Sequence, residues 1–418
     1  MSLISLDAIP YEILSWIVWY SAEDPESLFS LIETSRFLRH HAERYLYRTI
    51  DLSSGTLDVT LRFLKSIQLH PRIGSLVTSF HPYTVEYGNH GEPPEEYINL
   101  LMNAATFMPN LKTLIIVQNR YEVPKALQWD QNAQPPFQLD RLGVQLDRTP
   151  STWTAWHVWD PLKFRKELVQ LLRCQKTLRH FSFVQDKDRK RGGQVIPGLS
   201  PEESVEEWRK ACSFLEVLEG TNTTVRLLLP NTQKVKALFW HYDRRGTEPL
   251  RSPSYLETDP NLEEHFFTPG HREAYGRLEN LVISRQISLL PILSTYLTSL
   301  KTLVLIIQVS TLGKPESTVD EEDLLMQAFG GLPYLEILVV MQKEKLNLEC
   351  ERIFAVCGKL RRLALWEFDN GDIVFGPVSV ERGSDGAINP IEWTFGEETP
   401  RLPFVGAGWF ALGTQDLV

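Results

Sequence analysis

Residues 110–117 read NLKTLIIV. Leu111, Leu114 and Ile116 follow one spacing: apolar, two residues, apolar, one residue, apolar. Side chains of a strand alternate between its faces, so Leu114 and Ile116 share one face and Thr113, Ile115 and Val117 the other. The spacing returns at Leu139-Leu142-Val144, Leu178-Phe181-Phe183, Val235-Leu238-Trp240 and Leu278-Leu281-Ile283. It continues at Leu300-Leu303-Leu305, Leu335-Leu338-Val340 and Leu360-Leu363-Leu365, with a weaker copy at Ile73-Leu76. The steps are uneven: 22 residues from Leu278 to Leu300, 25 from Leu335 to Leu360, 35 from Leu300 to Leu335. One strand of this kind cannot bury its apolar face alone, whereas stacked strands share a continuous core.

This pattern, with helices between the strands, resembles a leucine-rich repeat in degenerate form. The resemblance implies an α/β fold, an irregular leucine-rich-repeat-like solenoid with a parallel curved sheet. Helices are expected over 200–219, where Ser200 and Glu203 make a capping box and Gly220 a stop, and over 318–329, 97–106 and 161–174. Three inserts interrupt the series. Residues 83–96 and 186–198 read as loops rich in glycine, proline or charge. Residues 242–271 carry Pro249, Pro253, Pro260 and Pro269 and are the first candidate for a target-contacting insert.

Ahead of the strands, residues 6–52 read LDAIPYEILSWIVWYSAEDPESLFSLIETSRFLRHHAERYLYRTIDL. Pro10 suits a first helical position, with Asp7 as its cap. Ile13, Leu14, Ile17 and Val18 recur at helical spacing and are expected to form one apolar stripe. Asp24-Pro25-Glu26 starts a second helix that carries Leu28 and Leu31, and Ser35 caps a third. The opening Leu6-x-x-Ile9-Pro10-x-Glu12-Ile13-Leu14-x-x-Ile17 resembles the F-box. The later TSRFLRHHAERYLYRTI is similar to that motif's third helix, as fungal members have it. Glu33-Thr34 stand where the family often has valine-cysteine. The resemblance implies a three-helix F-box-like module over residues 1–52, a repeat array over 53–370, and a C-terminal cap or tail over 371–418.

It also implies a non-enzymatic substrate receptor of an SCF-type ubiquitin ligase. A Skp-family adaptor, and through it a cullin scaffold, would dock on Leu6, Ile9, Pro10, Ile13, Leu14, Ile17, Leu28 and Leu31. A target protein would lie on the concave side of the array. The alternation of the strands places Ile115, His180, Phe239, His241, Val282, Val304 and Trp366 on that side, a row unusually apolar for a solvent face. Either a partner or the chain's own tail, with Trp393, Phe395, Phe404 and Trp409, would cover it or cap the open end of the array. The other reading is a scaffolding repeat protein whose N-terminal helices only cap the array.

Composition narrows the rest. The net charge of −10 argues against a generic nucleic-acid binder; the apolar run 13–20 is far shorter than a membrane span, and no basic residue precedes it as in a leader. An intracellular protein is expected. The four cysteines, Cys174, Cys212, Cys350 and Cys357, make no C-x-x-C pair and read as reduced thiols. No catalytic motif, metal-ligand spacing or cofactor loop is present. Trp153, Trp156 and Trp159 recur every third residue and are expected to be packing.

Overall fold

The computed structural model describes residues 9–22, 24–53, 55–82, 95–118, 136–146, 169–185, 209–220, 222–240, 266–284, 289–307, 321–342, 349–369 and 372–391. The fold is mixed α/β, built on mostly parallel strands, in two compact units. The first holds residues 1–186 and 196–214, the second 187–195 and 215–418.

The first unit opens with three helices, α1 (Tyr11–Tyr20), α2 (Pro25–Thr34) and α3 (Arg36–Leu46). Pro10 precedes α1 rather than starting it, and its carbonyl accepts from the Ile13 and Leu14 amides at 3.0 and 3.2 Å. The Asp24 carboxylate caps α2 by accepting from the Glu26 and Ser27 amides, and Ser35 Oγ caps α3 by accepting from Leu38 N. Leu14, Val18, Leu28, Leu38 and Ala42 pack together between the helices, with Ile9, Leu31, Ile32, Tyr45 and Leu46 around them.

The chain then enters β1 (Thr49–Asp51), α4 (Leu57–Leu69), α5 (Pro71–Gly74), β2 (Ser79–His81), α6 (Glu95–Thr106), β3 (Thr113–Gln118), β4 (Arg141–Leu146) and β5 (His180–Gln185). These strands lie side by side in chain order, all parallel. β1 pairs directly with β2, so the helical module runs into the sheet without a linker. The weak copy expected at Ile73-Leu76 is displaced by four residues. Residues 71–74 form α5, and the buried pair is Val77 and Phe80. Gly74 is required there, because a Cβ would meet the Phe107 carbonyl.

The second unit contains β6 (Val217–Gly220), α7 (Asn222–Leu228), β7 (Ala237–Trp240), α8 (Pro269–Arg277), β8 (Asn280–Ser284), α9 (Leu290–Ser294), β9 (Thr302–Ile307) and α10 (Glu321–Gly330). It continues with β10 (Ile337–Gln342), α11 (Cys350–Val356), β11 (Arg362–Asp369), β12 (Asp372–Arg382) and β13 (Ile388–Pro390). Strands β6 to β11 are parallel, in register position by position. β12 turns back antiparallel on β11, and β13 on β12. The reversal covers the free edge of β11.

A helix was expected to run through residue 219. The described part of it, 209–211, is helical, but Val217–Gly220 is strand. Leu215 and Leu218 obey the strand spacing as well as the helical one, and both are buried with their counterparts from the other strands. Sheet pairing with β7 outweighs the local helical pattern. Helices end where expected at 106 and near 330, and 169–174 is helical.

In β1 to β4 and in β6 to β10, the residue just before the strand offers its carbonyl to two amides of the next. Arg48, Thr78, Lys112 and Asp140 do this in the first unit, and Glu216, Lys236, Glu279, Lys301 and Glu336 in the second. The second series, closed by Arg361, alternates acid and base without a break. Glu279 bridges two of its lysines, Lys236 Nζ at 2.7 Å and Lys301 Nζ at 2.8 Å. These two hydrogen bonds hold the Glu279 carboxyl below the usual carboxylate range.

Candidate functional site

α1 carries apolar side chains on both sides. Leu14 and Val18 point into the three-helix core. Ile13, Trp16, Ile17 and Tyr20 stand at i, i+3, i+4 and i+7 on the adjoining outward side, 51%, 60%, 41% and 68% exposed. The single stripe expected from Ile13, Leu14, Ile17 and Val18 is therefore split lengthwise, Leu14 and Val18 buried and Ile13 and Ile17 exposed. Trp19 flanks the outer one, its ring 4.8 Å from Tyr20 between centroids, and Tyr20 lies 6.1 Å from Trp16. Phe29 on α2 is exposed as well. Tyr11 on α1 meets Phe37 and His41 of α3 edge-on at 5.8 and 5.1 Å. Burial is the largest of the causes that push His41 below the ordinary imidazole value.

So concentrated a set of exposed aromatic and aliphatic side chains is rare on a surface that faces only water. The residues expected to meet an adaptor divide accordingly. Ile13 and Ile17 are on the outer stripe, and Pro10 is exposed. Leu14 and Leu28 are buried in the core between the helices. Ile9 and Leu31 are half-buried against that core, and Leu6 lies outside the described residues. Sequence reasoning missed Tyr11, Trp16, Trp19, Tyr20, Phe29 and Phe37. The available signal was that α1 is apolar nearly all the way round, although it has only one helical core to face.

The module is fastened to the first strands. Arg72 Nη2 of α5 lies 2.6 Å from Glu43 Oε2 of α3, and the Arg48 carbonyl accepts from Thr78 and Ser79 amides and the Thr78 hydroxyl.

The inner row of the second unit is a second candidate. Phe239, Val282, Val304, Val339 and Ala364 occupy matched positions on consecutive strands and are all buried. Ile391, just beyond β13, packs against them. Phe239, Val282 and Val304, expected as an open target surface, are thus covered in this conformation. In the first unit Ile115 is half-buried and His180 is buried. Trp366 falls in β11, and His241 lies outside the described residues. Of the insert 242–271, the last residues are core: Phe266, Phe267 and His271 are buried, and Pro269 begins α8. The rest of that insert, the loops 83–94 and 186–198 and the tryptophans at 153, 156 and 159 lie outside the described residues.

All four thiols are free. Burial pushes Cys212 up to about 12 and Cys357 up to about 11, so both are poor nucleophiles at neutral pH. Among the described residues no cluster of three or more metal-ligating side chains occurs, and no helix is long and apolar enough to cross a membrane. Compared with known proteins, the chain matches no family model and no curated protein.

Proposed function

We propose that the chain is the substrate-recognition subunit of an SCF-type ubiquitin ligase, with an F-box-like module on a degenerate leucine-rich-repeat array. The observation that carries the reading is the outer stripe Ile13, Trp16, Ile17 and Tyr20, a preformed apolar helix face on a module with its own small core. Such a face fits a helical adaptor of the Skp family, whose burial of these rings would supply the binding energy. Function then follows from proximity. The receptor holds a target beside a conjugating enzyme brought by the cullin, raising the effective concentration of target lysines without bond chemistry of its own.

The test is co-expression with a Skp-family adaptor and size-exclusion chromatography of wild type, Pro10→Ala/Ile13→Ala and Trp16→Ala/Ile17→Asp. A one-to-one complex lost in both variants, with the fold retained, supports the reading. A complex that survives both variants, or none with the wild type, removes it. The pairing of β1 with β2 favours a second reading, a scaffolding protein whose helices cap the sheet. That reading expects removal of residues 1–46 to unfold the first unit.

A further inference from the structure

Charged residues stand one strand apart at the starts of β6 to β11: Glu216, Lys236, Glu279, Lys301, Glu336 and Arg361. At the spacing of neighbouring strands the series is about 24 Å long. Its members from Glu216 to Glu336 line an open cleft of about 1060 Å³, with Gln233 and Tyr334 in its walls. The middle of the series is braced within the chain, where Glu279 accepts from Lys236 and Lys301. Each of those ammonium groups has three donors and spends one on Glu279, and the two side chains are 66% and 53% exposed. Glu216 and Arg361 are exposed at the ends, and Glu336 and Arg361 form no ion pair with another described residue.

The order of the signs has a symmetry. The series is even in length, opens on an acid and closes on a base. Turned by half a rotation about an axis between β8 and β9, it meets itself with every contact opposite in sign. Glu216 then faces Arg361 of the second copy, Lys236 faces Glu336, and Glu279 faces Lys301. An alternating series of odd length would meet like charge at every contact. The same rotation brings Tyr334, on the loop ahead of β10, toward the loop ahead of β7, where Gln233 and Lys234 are exposed. Tyr334 is 49% exposed, with Lys359 Nζ 4.0 Å from its ring centre. A half-exposed tyrosine is of the kind enriched at interfaces.

We propose that this strand-start edge of the second unit is a two-fold interface, and that its occupant is a second copy of the chain. A two-fold contact requires a patch that fits itself, and the charge series has that property. At the axis, Glu279 and Lys301 of the two copies make one network of four charges. Networks hold where isolated surface pairs contribute little. The facing clefts take up the Tyr334 rings and bridging water, as polar interfaces do. No residue of this interface belongs to the first unit, and the inference does not rest on the receptor reading.

The test is sedimentation velocity of the full-length protein. The wild type is expected to be a dimer at low salt and to dissociate as salt rises to about 1 M, because ions screen contacts of this kind. Two variants carry the charge argument further, Glu336→Lys/Arg361→Glu and Glu216→Arg/Lys236→Glu. Each alone sets like charges face to face at both ends of the series and is expected to weaken the dimer at least about hundredfold. Mixed in equal amounts, the two variants meet with every contact opposite in sign and are expected to pair within about tenfold of the wild-type affinity. Circular dichroism and urea midpoints establish that both are folded, and the wild-type salt series decides the matter if either is not. A wild type that is monomeric at low salt, a dimer indifferent to salt, a variant that dimerises as the wild type does, or folded variants that fail to pair with each other overturns the proposal. The first of these outcomes assigns the cleft to a foreign partner.

Discussion

Arg72 and Glu43 meet at 2.6 Å, guanidinium to carboxylate, and tie the short helix before β2 to the last helix of the N-terminal module. Glu43 is mostly buried, whereas Arg72 is half-exposed. A pair of this kind stabilises modestly, since water screens the exposed partner. Glu43→Ala is expected to lower stability by about 1 kcal/mol in urea unfolding. Exchange of the two residues, Glu43→Arg with Arg72→Glu, should recover part of it.

The two stripes of α1 predict opposite outcomes for neighbouring substitutions. Leu14→Ala removes core and should cost about 2–5 kcal/mol. Trp16→Ala removes an exposed ring and should change stability by less than about 0.5 kcal/mol while abolishing adaptor binding. Thermal denaturation beside a pull-down separates the two effects.

Acid should weaken the second unit through His271. Burial pushes its folded value down to about 4, against an ordinary 6.5. The unfolded chain therefore takes up a proton that the folded one refuses. The contribution is whole above about pH 6.5 and declines, by up to about 1.4 kcal/mol per pH unit, as pH falls toward about 4. His81, also lowered by burial, shifts the first unit the same way. Replacing His271 with glutamine should flatten the decline in urea midpoints measured between pH 7 and pH 4.

The bridge at Glu279 gives a salt-dependent test. Glu279→Lys places three lysines on adjacent strands, and like charges side by side repel. Stability should fall by about 1 kcal/mol at low ionic strength and recover as salt screens the three ammonium groups. A loss that is the same at 10 mM and 1 M salt would contradict the electrostatic account.

The mostly parallel α/β fold was legible because burial on a parallel strand leaves a short, strict pattern. Leu111, Leu139, Leu178, Val235, Leu278, Leu300, Leu335 and Leu360 are all buried, as their spacing implied. The stretch 215–220 escaped because Leu215 and Leu218 lie three apart, which suits a helix and this strand motif equally. Pairing with β7, a partner distant in sequence, decided between them. The exposed apolar face of α1 was half legible. Apolar spacing located α1, but spacing alone does not tell which apolar side has a core to meet. That depended on where α2 and α3 pack. The burial of the inner row was foreseen only as an alternative, and the reversal of β12 on β11 is not a matter of periodicity.

The alternating charges ahead of β6 to β11 set a parity condition on any change in the number of these strands. Within the series from Glu216 to Arg361 every neighbour is opposite in charge, because consecutive strands are immediate neighbours. Losing the strand after Glu279 would set Lys236 directly beside Lys301. Losing two consecutive strands would keep every neighbour opposite in sign. Repeats inside this half of the molecule are therefore expected to be gained or lost in pairs, so that relatives of different length should differ there by an even number of strands.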